Sequence, residues 1–161
     1  MKGLAALGAL LVAATAVGVV LWPAPSGPEP IAYGRDVCAR CRMLLGRPGF
    51  AGELREANGT LRTFDDIGCL LETLADTHRE TPEAWVEDHR DGEWIPLLTA
   101  HLVRTAGTGT PMDHGIVAFR DQQVARTFAT SEQGDIVRLE ELLREPTRWA
   151  VGSKTESEGV Q

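Results

Sequence analysis

Residues 50–78, FAGELREANGTLRTFDDIGCLLETLADTH, decide the fold. Phe50–Ala57 and Thr60–Phe64 flank Asn58-Gly59, and an Asn-Gly pair between two such runs is a strong hairpin signal. Asp65 or Asp66 then supplies a side-chain oxygen to the orphan N–H groups of a helix start. Ile67, Leu70, Leu71, Leu74 and His78 follow at helical spacing. A hairpin leading into a helix is therefore the basic unit.

Working outward, Ala84–Glu87 and Trp94–Leu98 read as short strands around the turn Asp91-Gly92. His101–Thr105 reads as another strand, followed by a Gly/Thr-rich loop over Gly107–Pro111. Ile116–Arg120 and Val124–Phe128 read as a second hairpin about Asp121-Gln122-Gln123. A helix is predicted from Asp135 to Arg144, with Ile136, Leu139, Leu142 and Leu143 inward and Pro146 ending it. The sequence thus predicts an α+β domain over residues 33–150, made of two related ββα-type units on a mostly antiparallel sheet. The polar tail, 151–161, is predicted to be disordered.

The N-terminal direction is different in kind. Gly3–Trp22 is a run of twenty uncharged residues, long enough to cross a bilayer as a helix. A signal peptide has a shorter apolar stretch, so residues 1–22 are predicted to be a retained transmembrane helix, with a cleaved signal segment as the alternative. Lys2 before the run, and no charge after it until Glu29, puts the body on the extracytoplasmic side. Residues 23–32, with Pro23, Pro25, Pro28 and Pro30, form a stiff linker. The body beyond carries 15 basic against 23 acidic side chains, a balance of −8. That acidity argues against nucleic acid or an anionic membrane surface as a partner.

Three cysteines, an odd number, all lie in the exported part, which points to reactive or metal-binding sulfur. In Cys38-Ala39-Arg40-Cys41-Arg42-Met43, a loop closed by Gly46, Pro48 and Gly49, two sulfurs can reach one ion. C-x-x-C by itself is ambiguous between zinc, a redox dithiol and a disulfide. Met43 favours copper, because a thioether is a soft, neutral donor suited to Cu(I). Met112, after the Gly/Thr loop, is a second thioether candidate, although methionine is more often a packing residue. Cys69, in the first turn of its helix, is either a third sulfur donor or a small packed residue, and it faces away from Ile67, Leu71 and Leu74. His114 is close enough to Met112 in sequence to add an imidazole. His78, His89 and His101 have no ligand spacing and read as surface or capping residues. No nucleophile–base pair, phosphate loop or nucleotide fingerprint is present.

Taken together, Cys38, Cys41 and Met43, then Phe64-Asp65-Asp66-Ile67-Gly68-Cys69, Trp85-Val86-Glu87-Asp88 and Thr110-Pro111-Met112 before Gly115-Ile116-Val117-Ala118-Phe119, resemble the NosL family over roughly residues 33–145. The resemblance implies a periplasmic Cu(I) chaperone, not an enzyme, with donors drawn from Cys38, Cys41, Met43, Cys69, Met112 and His114. It implies as partners a copper-receiving apo-enzyme, nitrous oxide reductase, and the membrane complex that matures it. Members of the family are commonly lipoproteins, and the predicted hydrophobic anchor departs from that. A thiol-disulfide oxidoreductase using Cys38 and Cys41, or a structural zinc protein, is the alternative reading.

Overall fold

The computed structural model describes residues 27–77 and 83–144. The expected transmembrane segment, residues 23–26 of the linker, His78 and the tail lie outside those residues. Among the described residues no helix is long and apolar enough to cross a membrane.

The hairpin forms where Asn58-Gly59 places it. Strand β1 (Gly52–Arg55) pairs antiparallel with β2 (Leu61–Phe64), Gly52 opposite Phe64 and Arg55 opposite Leu61. The turn is closed by Glu56 N donating to Thr60 O at 2.8 Å, and Gly59 takes the left-handed backbone (φ 85°) that favours glycine. Helix α1 (Ile67–Thr77) follows, and Asp66 is its cap, with Oδ1 accepting Gly68 N at 2.7 Å. Ile67, Leu70, Leu71 and Leu74 are all buried against the sheet. Burial of each contributes about 1.5–3 kcal/mol, which is what holds this helix down. Strand β3 (Ala84–Glu87) returns on the other side of β1, and β4 (Trp94–Pro96) completes an antiparallel sheet of order β2-β1-β3-β4.

The second half repeats that course. Strands β5 (His101–Arg104) and β6 (Ile116–Phe119) form the hairpin, α2 (Gln122–Ser131) follows, and β7 (Asp135–Val137) returns beside β5. A short helix, α3 (Leu139–Arg144), ends the described chain. In each half the first strand is central, so the repeated unit is ββαβ rather than ββα.

The α+β, antiparallel expectation holds, with three corrections. There are two sheets, of four and three strands, where one was expected. Val124–Phe128 is helix, not strand: Asp121 caps it, Oδ1 accepting Val124 N at 2.9 Å, and Val124, Ala125, Phe128 and Ala129 make a helical stripe. Asp135–Arg144 is a strand and then a helix, because Val137 pairs with Leu102; Ile136 is therefore exposed rather than inward. The three-stranded sheet is covered on both faces. Leu102, Ile116 and Ala118 join the main core, whereas Val103, Val117 and Phe119 pack under Ala125 and Ala129 of α2. An unbroken apolar strand such as Ile-Val-Ala-Phe is what such double burial demands.

Asp88 couples the two sheets. Its pairing with Ala118 is a parallel bridge, its backbone neighbour His89 N donates to Ala118 O at 2.9 Å, and its buried carboxylate accepts Arg120 N at 2.9 Å and Arg90 N at 3.0 Å. Replacing Asp88 with Ala strands both N–H groups and should cost about 2–3 kcal/mol in denaturant unfolding; Asp88→Asn, which keeps an acceptor, should cost clearly less.

Candidate metal centre

The cysteine loop is a small hairpin of its own. Val37 pairs with Leu44, Cys38 N donates to Met43 O at 2.8 Å, and Arg42 N donates to Cys38 O at 3.1 Å. Arg42 closes the turn with a left-handed backbone (φ 68°), an uncommon state for a residue with a Cβ. This turn brings Cys38 and Cys41 to the same side. Ala39 N then donates to Thr63 O at 2.8 Å, which sets the loop against the end of β2.

Arg40 fastens the loop to α1 through ion pairs with Glu72 and with Asp76, the latter at 2.8 Å. Cys69, Glu72 and Asp76 share one stripe of the helix, at spacings of three and four. By helical spacing Cys69 is off the Ile67–Leu74 face, yet it is only 2 % exposed. The loop that carries Cys38 and Cys41 covers its stripe. The sulfurs of Cys38, Cys41 and Cys69 consequently lie within 4.8 Å of one another, all three as free thiols. Cys38 and Cys69 are buried and Cys41 is half-buried.

The three sulfurs do not share protons equally. Cys38 is pulled down to about 4, first because the Cys69 S–H donates to it and then because backbone N–H groups of Asp65, Cys41 and Arg40 point at it; together these outweigh its burial. Cys69 is pushed far up, since its proton is held by the Cys38 thiolate and burial opposes a second charge. Burial also raises Cys41. One thiolate and two thiols in contact form a compact, soft donor set whose geometry suits a thiophilic ion.

The family comparison accords with that geometry. The NosL family model matches residues 32–146. The chain belongs to the NosL family. A solved structure, the copper chaperone NosL from Shewanella denitrificans, has the same fold: TM-score 0.65 at 22 % identity, covering 73 % of this chain and 96 % of that one. A search of curated protein sequences found no match.

The other candidate donors occupy distinct places. Met43 is half-exposed on the loop surface. Met112 is half-buried against the core that contains Cys38 and Cys69, and its N–H donates to Asp66 Oδ2 at 2.9 Å. That bond ties the Met112 segment to the start of the helix that carries Cys69. Both ring nitrogens of His114 face carboxylates, Nδ1 at 2.9 Å from Asp66 and Nε2 at 3.4 Å from Glu72. His89, read from sequence as surface or capping, instead packs among Phe50, Phe119 and Phe128 with ring centroids 4.9–5.9 Å away. Glu72 and Arg40 went unnoticed in the sequence reading; the signal was their charge complementarity once Cys69, Glu72 and Asp76 are set on one helical stripe.

Asp66 and His114 stabilise each other's charged forms. Burial would raise Asp66, but the His114 contact, followed by the Met112 N–H, holds it below the usual carboxylate range. Burial would lower His114, but Asp66 and then Glu72 raise it. The His114 contribution is therefore complete below 6.5 and is lost as pH rises through its raised value; that of Asp66 is complete above 3.8 and is lost as pH falls through its lowered value. His114→Leu leaves Asp66 a buried anion without its cation and should cost on the order of 3 kcal/mol at pH 5–6. The difference from wild type, read from denaturant midpoints, should shrink above neutral pH.

Proposed function

We propose that this chain is a Cu(I) metallochaperone, held at the cell membrane by its N-terminal segment with the body on the extracytoplasmic side, and that it delivers copper for the maturation of nitrous oxide reductase. The observation that carries the reading is the three-sulfur cluster in a chain of the NosL family. In this reading the partners are the recipient apo-enzyme and its membrane maturation complex, which family membership makes the natural candidates. The Shewanella relative is a copper chaperone, and that likeness and this chain's apolar N-terminal run support the role.

The chemistry is ligand exchange, with no substrate turned over. Cu(I) is d¹⁰ and takes two, three or four soft ligands, so it can pass between proteins by gaining one donor before losing another. Cys38 is already a thiolate and offers the first bond. Cys69 and Cys41 must give up protons to join it, and Met43 or Met112 can add a neutral thioether. Arg40 holds the loop on α1 so that the sulfurs stay together when no ion is present.

Three outcomes test this. Reduced protein, titrated against a Cu(I) chelator, should bind one Cu(I) far more tightly than Zn(II); Cys38→Ser or Cys69→Ala should lower Cu(I) affinity at least about tenfold, and a preference for zinc would sink the copper reading. Loading should release up to about two protons at neutral pH, since two of the three sulfurs start protonated. Apparent affinity should accordingly rise with pH and fall off below about 4, where Cys38 itself gains a proton. Met112→Leu should change stability by less than about 1.5 kcal/mol. If Met112 is a donor, Cu(I) affinity falls and the sulfur count in X-ray absorption drops by one.

The second reading, a thiol-disulfide oxidoreductase, draws on the depressed pKa of Cys38, a property shared with catalytic dithiols. A disulfide-reductase assay with the reduced chain separates the two, and the copper reading expects no turnover.

A further inference from the structure

The loop that carries the thiols is unlike the rest of the surface in two independent ways. Among the described residues the exposed large apolar side chains are Val37, Met43, Leu44, Leu98 and Ile136. Three of these five fall within eight consecutive residues, together with Cys38 and Cys41. Val37 and Leu44 are cross-strand partners, so their side chains stand on one side of the ribbon and form a single apolar patch.

The charge of this segment is also reversed. Residues 35–47 hold Arg35, Arg40, Arg42 and Arg47 against Asp36 alone, a net +3 in a chain of −7, which leaves −10 on the other 148 residues. Arg40 is occupied by Glu72 and Asp76, Arg35 lies 3.8 Å from Asp36, and Arg47 reaches Gly109 O and the Phe50 ring. Yet Arg35, Arg42 and Arg47 all stay exposed, two at the ends of this segment and one at its turn. A positive rim on a strongly acidic body works against the overall charge of the protein and is not explained by solubility. Apolar centres with charged rims are the general anatomy of docking surfaces, the centre excluding water and the rim setting encounter rate.

From these two observations we infer that the Val37–Leu44 face is the docking surface for an acidic protein surface with an apolar centre, belonging to the partner that exchanges copper with the cluster. The inference rests on the copper-carrier reading for the identity of that exchange. A second copy of this chain does not fit: two-fold pairing would set the same positive rim against itself. The patch borders Cys41, the one sulfur of the three that is not buried, so docking there closes the path to the metal while exchange proceeds.

The test uses the full chain in uncharged detergent and two matched acceptor peptides. Both carry the same Cys/Met donor pair and the same leucine, and they differ only in four flanking Glu or four flanking Lys. Cu(I) transfer followed by stopped flow should be roughly tenfold faster to the Glu peptide at low salt, and the ratio should collapse towards one near 0.5 M salt. Arg35→Glu and Leu44→Ser should each slow transfer to the Glu peptide severalfold while leaving Cu(I) affinity against a chelator unchanged. Equal rates for both peptides, or a faster Lys peptide, would overturn the proposal. So would a loading-independent doubling of mass that masks the face, or an effect of phosphatidylglycerol vesicles that replaces the peptide preference. Titrating the metal-free chain with the same labelled peptides keeps the two readings apart. Failure to load Cu(I) sinks the carrier alone, and tighter binding of the Glu peptide still decides the surface.

Discussion

One buried carboxylate organises the site. Asp66 is fully enclosed, and its two oxygens accept the Gly68 N–H, the Met112 N–H and the His114 ring. The first bond starts the helix that carries Cys69. The second fixes the segment that carries Met112, forty-six residues away. The third brings in the cation that makes an enclosed anion tolerable. A buried charge is worth its desolvation cost only when it is fully bonded, and here every bond also sets the position of a different element. Gly68 belongs to the same arrangement: a Cβ there would collide with the His114 ring, so only glycine allows the imidazole this close to the helix.

The two ββαβ halves have diverged in what their helices do. In the first, α1 lies on the main core and presents a second, polar and sulfur-bearing stripe to the cysteine loop. In the second, α2 covers only a small apolar layer of Phe50, Val103, Val117 and Phe119. The sulfur site is thus built on the helix of the first half, and the second half contributes a loop to it. Asp88, at the seam, keeps the halves in register and thereby keeps the Met112 segment within reach of Asp66.

The sequence was most readable where short-range chemistry decides. The hairpin at Asn58-Gly59, the cap at Asp66 and the buried stripe of α1 each follow from residues within a turn of one another. Val124–Phe128 misled because its β-branched and aromatic ends resemble a strand, while the decisive feature, the Asp121 cap, sits just outside the run. Ile136 misled for the opposite reason, since pairing with β5 overrode a helical pattern of leucines. At the site, the C-x-x-C segment was visible by spacing alone. That Cys69 completes it depends on Arg40 meeting Glu72 and Asp76 across more than thirty residues, a contact that no local pattern encodes.

The sulfur cluster is also lopsided. Cys38 and Cys69 are sealed within the protein and only Cys41 meets the outside. An ion held by all three can then be approached along a single direction, and the first bond open to an incoming ligand is the one to Cys41. Small thiols and adventitious chelators would have to compete at that single opening. Such an enclosure would set a kinetic barrier against loss that is separate from how tightly an ion is bound, because dissociation rate and affinity are distinct quantities.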